Sequence, residues 1–282
     1  MAKILVTHIN PHLDDIAASW LFKKFHPEYK DGEIKFISAS IKGSTIDGQP
    51  VDQNPDILHF GVGRGKYDEH KGDIGKCATS LVWDEIVKEG LAPEDEIEKR
   101  SYEELVEWNT LIDTAALPQM PYEEFSVPSF IRPLSGNPDD SLAAQLLGEQ
   151  ILDRILRVLI SKNKVKKDWA NRIEFDTNMG KGALLQSDDA SRSIIRGLAH
   201  EQSQSYAIYL MIRPRAKSVE YFTDHPEVEL TNLDVKIREL DPEASWYLHH
   251  SKKMLLCGAK AAPDGVPSKL SQEQLIKAAE SI

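Results

Sequence analysis

Over its first half the chain alternates short apolar runs with helix-period stretches. Ile4-Leu5-Val6 marks a strand near 3–8, and comparable runs predict strands near 34–39 and 56–62, with helices near 14–26, 77–89 and 102–116 between and after them. Such alternation predicts a mainly parallel sheet with helices on its faces. From Leu117 to Asp140 the pattern breaks on Pro118, Pro121, Pro128, Pro133, Gly136 and Pro138, the composition of a linker. Beyond it Leu147, Ile151, Ile155 and Leu159 recur every four residues, with Leu152 and Leu156 on the adjacent face, predicting an amphipathic helix of about 20 residues. The remainder reads as a helix near 163–176, strands near 182–187, 206–213, 218–222, 245–250 and 253–258, helical turns near 190–199 and 231–239, and a last helix at 271–281. The expected fold class is α/β. An N-terminal domain over 1–138 holds the parallel sheet, a connecting helix spans 139–165, and a smaller α/β or α+β domain fills 166–282.

Composition narrows the class without naming a function. A chain of 282 residues, 41% hydrophobic and 28% charged, has the make-up of a soluble globular protein with two medium domains. No apolar run approaches the roughly 20 residues of a membrane helix, and the N-terminus shows no secretory pattern, so the expected address is the cytoplasm. Two cysteines, Cys77 and Cys257, lack paired spacing and read as small core residues. The net charge of −11 argues against generic nucleic-acid coating, yet residues 151–217 carry 13 Lys/Arg against 7 Asp/Glu. That basic stretch suits a grip on a polyanion, and it equally suits a solvated helix face.

The chemistry concentrates where strands end. Thr7-His8-Ile9-Asn10-Pro11-His12-Leu13-Asp14-Asp15 puts two imidazoles and two carboxylates between the first strand and the first helix, the place where open α/β sheets bind ligands. Imidazole with carboxylate suits Mn²⁺, Zn²⁺ or Fe²⁺, and the lack of thiolate argues against a structural zinc knot. An aspartate here also makes an ordinary helix N-cap. A second cluster, Gly61-Val62-Gly63-Arg64-Gly65-Lys66-Tyr67-Asp68-Glu69-His70, follows another predicted strand. In a parallel sheet the two strand ends share one edge, so Asp68 and His70 come within reach of His8, His12 and Asp14.

Together the clusters resemble the DHH phosphoesterase superfamily, most closely its branch of melanocyte-proliferating-gene-type (Myg) exonucleases. The resemblance runs through His8, His12, Asp14 and Asp15, then Gly61-Val62-Gly63 leading to Asp68-Glu69-His70. It continues through Cys77-Ala78-Thr79-Ser80-Leu81-Val82-Trp83, through Leu105-Val106-Glu107 to Asp113, and through Trp246-Tyr247-Leu248-His249-His250-Ser251 to Cys257-Gly258-Ala259-Lys260. Glu69 replaces the middle histidine of that family's Asp-His-His motif, and Gly61 stands where the branch has an aspartate. His59 and Asp56 are the available substitutes; without one, the site holds a single metal or works weakly. The resemblance implies a DHH-like N-terminal domain binding two Mn²⁺ or Mg²⁺ ions, with Zn²⁺ less favoured. His8, His12, Asp14, Asp68, His70 and Asp113 would be ligands, and Asp15, Asp68 and His70 would take part in catalysis. It also implies a substrate-binding C-terminal domain, for which Arg192, Arg196, His249, His250, Ser251 and Gly258 are the candidates. Expected partners are short nucleic acid or a phosphoester small molecule and no membrane, with a homodimer left open.

Two rival readings stand beside this one. Pro11-His12-Leu13-Asp14-Asp15 is also similar to the motif of LmbE-like (PIG-L) zinc deacetylases, which hold one Zn²⁺. A nucleotide- or RNA-binding relative with weakened catalysis would fit the departures at Gly61 and Glu69. No phosphate-loop or dinucleotide glycine motif follows the first strand, so nucleoside-triphosphatase and dehydrogenase readings rank low.

Overall fold

A computed structural model describes the chain apart from residues 1–2, 40–45, 47, 49, 73, 118–120 and 259–260. Pro118 of the expected linker and the Ala259-Lys260 end of the C-terminal segment lie outside the described residues. The chain is mixed α/β and divides into two compact units, Met1–Ile160 and Ser161–Ile282.

The first unit contains β1 (Ile4–His8), α1 (Leu13–Phe25), β2 (Glu33–Ile37), β3 (Ile57–His59), α2 (Ala78–Lys88), α3 (Glu96–Asp113) and the short α4 (Val127–Ile131). All three strands are parallel in the order β2-β1-β3, so β1 and β3 both deliver their C-terminal ends to one edge. Period-two alternation sorts the side chains of β1. Leu5 joins the core beneath α1 and α2, while Val6 faces a small cluster with Ile46 and Val62. Helix α1 is buried from Leu13 to Phe22, including Asp14 and Asp15, so those two carboxylates are held inside the fold. The predicted strand at 56–62 stops at His59 because Gly61 and Gly63 adopt positive φ (62° and 85°) and turn the backbone off the sheet.

Helix α5 (Pro138–Trp169) is longer than expected at 32 residues, with proline at its first position. It absorbs the start of the separate helix predicted near 163–176. The rest of that prediction is wrong: after Trp169 the chain turns, and Ile173-Glu-Phe-Asp-Thr becomes a strand, its alternating apolar positions satisfied by sheet pairing. On α5 the adjacent stripe, Leu152 and Leu156, is the buried one, whereas Leu147 is exposed. Farther along, Val165 and Trp169 enter the core of the second unit.

That unit is built on β4 (Ile173–Thr177), β5 (Gly180–Gln186), α6 (Arg192–Glu201), β6 (Ile208–Arg213), β7 (Ser218–Phe222), α7 (Thr231–Leu240), β8 (Tyr247–Leu248), β9 (Met254–Cys257) and α8 (Gln272–Ala279). Its sheet runs β4-β5-β6-β7-β9-β8, antiparallel except for the β5–β6 pair. Leu184, Leu210, Tyr221 and Leu255 share one face with α7 and α8, and Leu185, Tyr209, Met211 and Phe222 share the other with α6. Both cysteines are free and buried.

Candidate metal centre

The two aspartates at the start of α1 divide the work. Asp15 closes a capping box: its carboxylate accepts the backbone N–H of His12 at 2.8 Å. The same oxygen lies 3.0 Å from His8 Nε2, while His8 Nδ1 sits 2.8 Å from the Ile9 carbonyl. Asp14 points to the N-terminus of α2, where its two oxygens accept the N–H groups of Ala78 (2.7 Å) and Thr79 (2.9 Å). Asn109, one turn before the end of α3, adds a third donor at 3.0 Å. A carboxylate that deep is stable because helix-terminal donors meet it.

Gly61 sits where the fold leaves no room for a side chain. A Cβ placed there would collide with Asp15 Oδ1. The volume that a side chain at 61 would need is therefore already filled by a carboxylate from α1. The suggested substitutes do something else. Asp56 pairs with Lys3 at 2.6 Å, and His59 is buried away from the cavity, its ring nitrogens unpartnered among the described residues.

Asp68 caps the single turn Glu69–Lys71, accepting N–H groups from Arg64 (2.5 Å) and His70 (3.0 Å). Its carboxylate also lies 2.8 Å from His70 Nδ1, which leaves Nε2 of that exposed ring free to act. Glu69 Oε1 is 3.1 Å from the same Nδ1. Glu69 Oε2 is buried with no partner among the described residues.

These groups converge. His8, His12 and Asp15 form one trio with ligand atoms within 4.8 Å of one another; Asp68, Glu69 and His70 form a second; Asp14, Glu69 and Asp113 form a third. All of them line one cavity of about 580 Å³. Glu69 belongs to two trios, so the residue that departs from the family motif stands at the hub. Sequence reading did not propose it as a ligand, nor Asn109, whose part depends on the packing of α3 against α2.

The electrostatics suit a cation. Burial, then the charges of Asp14 and Asp113, raises Glu69 to about 7. Partial burial and the neighbouring Asp14 and Asp15 raise Asp113 to about 6, and Asp14 is raised by burial and by Asp15. Burial works against charge on His8, but the Asp15 carboxylate outweighs it and pushes His8 up to about 9. Crowded carboxylates that resist ionising together, with an orphaned oxygen among them, are what a divalent cation relieves. A donor set of carboxylate oxygen and imidazole nitrogen is one that a divalent cation can use.

In the second unit, Arg192 and Gly258 line a different cavity of about 520 Å³. Arg192 pairs with Glu220 at 3.1 Å, not with the neighbouring Asp188 or Asp189. Arg196 is bound to Asp224. Gly258 is required by packing: at φ 75° a side chain would strike the backbone of Lys217 and Ser218. His249 and His250 are not on a strand as expected. They sit in the turn after β8 with ring centroids 4.0 Å apart, so strand alternation does not sort them, and His249 Nδ1 is 2.8 Å from Ser251 Oγ. Many cations of the basic stretch are paired, through Lys162–Glu201, Arg172–Glu174, Lys181–Asp176 and Arg213–Glu220 among others.

No protein-family model matches the sequence, and no curated protein matches it. Among solved structures, the chain is similar to the pGpG-specific phosphodiesterase PggH from Vibrio cholerae, at 13% identity over 93% of this chain and 95% of that one, with a TM-score of 0.33. It is also similar to a Methanococcus jannaschii protein described as a family II inorganic pyrophosphatase, at 11% identity over the whole of both chains, with a TM-score of 0.23. At these scores neither likeness bears on fold or reaction.

Proposed function

We propose that this chain is a divalent-metal-dependent phosphoester hydrolase, acting on short RNA or oligonucleotides from an end in the manner of an exonuclease-like phosphodiesterase. The observation that carries the reading is the convergence of three trios of ligand groups on one cavity, two of them sharing Glu69. Two divalent ions in such a setting supply Lewis acidity and a nucleophilic water at neutral pH. His8, His12 and Asp15 would hold one ion, and Asp14, Glu69 and Asp113 the other, with Asp68 completing the shell and His70 left for proton transfer. The chain's own residues do the rest. Asp68 fixes the His70 ring through Nδ1 and leaves Nε2 to hold a proton near the leaving oxygen. Arg64 is the only Lys or Arg lining the cavity among the described residues, so its guanidinium would be the cation available to phosphoryl oxygens. The Asn109 amide and the α2 N-terminus lock Asp14 in one orientation.

The test is metal analysis of the purified protein, then turnover of bis(p-nitrophenyl) phosphate and of short RNA in Mn²⁺, with Asp14→Ala as control. We expect two ions per chain and a loss of at least ~100-fold in kcat for the variant. One tightly held Zn²⁺ with no phosphoester turnover would favour the deacetylase reading instead. Equal turnover by Asp14→Ala would remove the site from consideration.

A further inference from the structure

A second cavity, about 250 Å³ in volume, adjoins the ligand cluster within the first unit and shares His12, Asp14 and Asp113 with the larger one. Its chemistry is different. Pro11 and Leu13, from the entry to α1, contribute apolar wall, as do Ile112 at the end of α3 and Pro128 and Ile131 on α4. Arg132 is the only Lys or Arg among its described lining residues, is exposed, and has no ion-pair partner among the described residues. Glu123 sets a carboxylate in the same lining.

We propose that this second cavity is the subsite for the nucleobase of an ester whose phosphoryl group lies at the ligand cluster, so that the preferred substrate is a nucleotide phosphodiester rather than inorganic pyrophosphate or polyphosphate. The inference rests on the phosphoester reading above and makes it more specific. Three observations carry it. The cavity is below the size of a drug-scale pocket and takes one planar ring system. Proline rings and branched aliphatic carbons cover the faces of such a ring, and burying those faces is favourable. A chain of phosphates would meet apolar wall and the carboxylates of Glu123 and Asp113 there, with one guanidinium to offset them. The base, in contrast, uses every part of the lining. Its amino or ring N–H groups donate to Glu123, and its face or the adjoining phosphate takes the Arg132 guanidinium. The shared residues His12, Asp14 and Asp113 make the two cavities neighbours, so base and reacting phosphorus would lie on either side of one wall.

The experiment compares binding of a nucleoside monophosphate and of inorganic phosphate to the Mn²⁺-loaded full chain by calorimetry, in wild type and in Ser129→Trp. Ser129 lines the second cavity and belongs to none of the metal trios, so a tryptophan there fills the space, with loss of the Ser129 Oγ bond to the Glu123 carbonyl (2.9 Å). We expect wild type to bind the nucleotide roughly tenfold or more tighter than phosphate, and the variant to lose that advantage with its phosphate affinity and Mn²⁺ stoichiometry unchanged. Arg132→Ala, which adds no bulk, is expected to weaken the nucleotide more than phosphate and covers the case in which the tryptophan disturbs folding. Equal affinity of wild type for the two ligands, or equal weakening of both by the variants, overturns the subsite while leaving the metal centre standing. Binding of neither ligand in the presence of bound Mn²⁺ overturns the phosphoester reading and the subsite with it.

Discussion

At the scale of single residues, Glu69 belongs to two of the three candidate ligand trios, while each other member belongs to one. Glu69→Gln keeps the shape and removes the charge shared by two trios. It should lower metal content from two ions toward one and reduce kcat by at least ~100-fold, as read by elemental analysis and steady-state kinetics. The raised carboxyls fix a pH dependence for the metal-free protein. Ordinary carboxyls in an unfolded chain titrate near ~4, whereas folded Glu69 and Asp113 titrate at about 7 and about 6, so between those values the native state holds more protons. Stability then falls as pH rises through that window. His8, raised to about 9, has the same sign above its unfolded value: its stabilising charge is complete below ~6.5 and lost as pH climbs through 9. In a chelator the melting temperature should therefore decline from about pH 5 to about pH 9, and Mn²⁺ should flatten the decline by taking the place of the protons. A melting temperature that climbs over this range in chelator would contradict the assignment. Much of this cluster was legible in the residues, because histidine and aspartate packed against a strand end have few other uses. Glu69 was not, since a residue that breaks a motif reads as a loss until its neighbours are seen in space.

Among elements, strands and helices with clean periodicity were readable, and boundaries set by long-range pairing were not. The parallel β2-β1-β3 sheet follows from its alternation with helices. The stretch after Trp169 was read as helix because Lys166, Lys167 and Asp168 continue a helical pattern, yet the ladder to β5 captures residues 173–177. On α5 the two candidate stripes lie side by side, and only the packing partner decides between them. Leu152 is fully buried in the core of the first unit, so Leu152→Ala should cost about 2–5 kcal/mol in denaturant unfolding. Leu147→Ala, at the exposed end of the other stripe, should cost well under ~1 kcal/mol. Gly258 supplies a contrast in the second unit. Its positive φ and the nearby Lys217 backbone predict that Gly258→Ala destabilises by more than ~1 kcal/mol, with Mn²⁺ binding intact. Loss of metal affinity in that variant would tie the residue to the centre after all.

For the molecule as a whole, the described ligand groups all fall within residues 1–160, one of the two compact units. Calorimetry should accordingly show the divalent ion acting on one unfolding transition. At a free concentration near 100 times its dissociation constant, Mn²⁺ should add about 2.7 kcal/mol to the first unit and little to the second. A uniform shift of both would mean that the units unfold as one. The basic stretch shows the limit of charge counting along a chain: its cations were visible in the sequence, but Glu220 and Asp224, which pair with Arg192 and Arg196, lie beyond the counted residues. The interlock of Gly61 with Asp15 has a different kind of reach. Because the Asp15 carboxylate fills the room beside Gly61, any larger residue there pushes that carboxylate off its contacts with His8 and the His12 N–H; Gly61→Ala should therefore unseat Asp15, and adding Asp15→Gly should relieve the crowding.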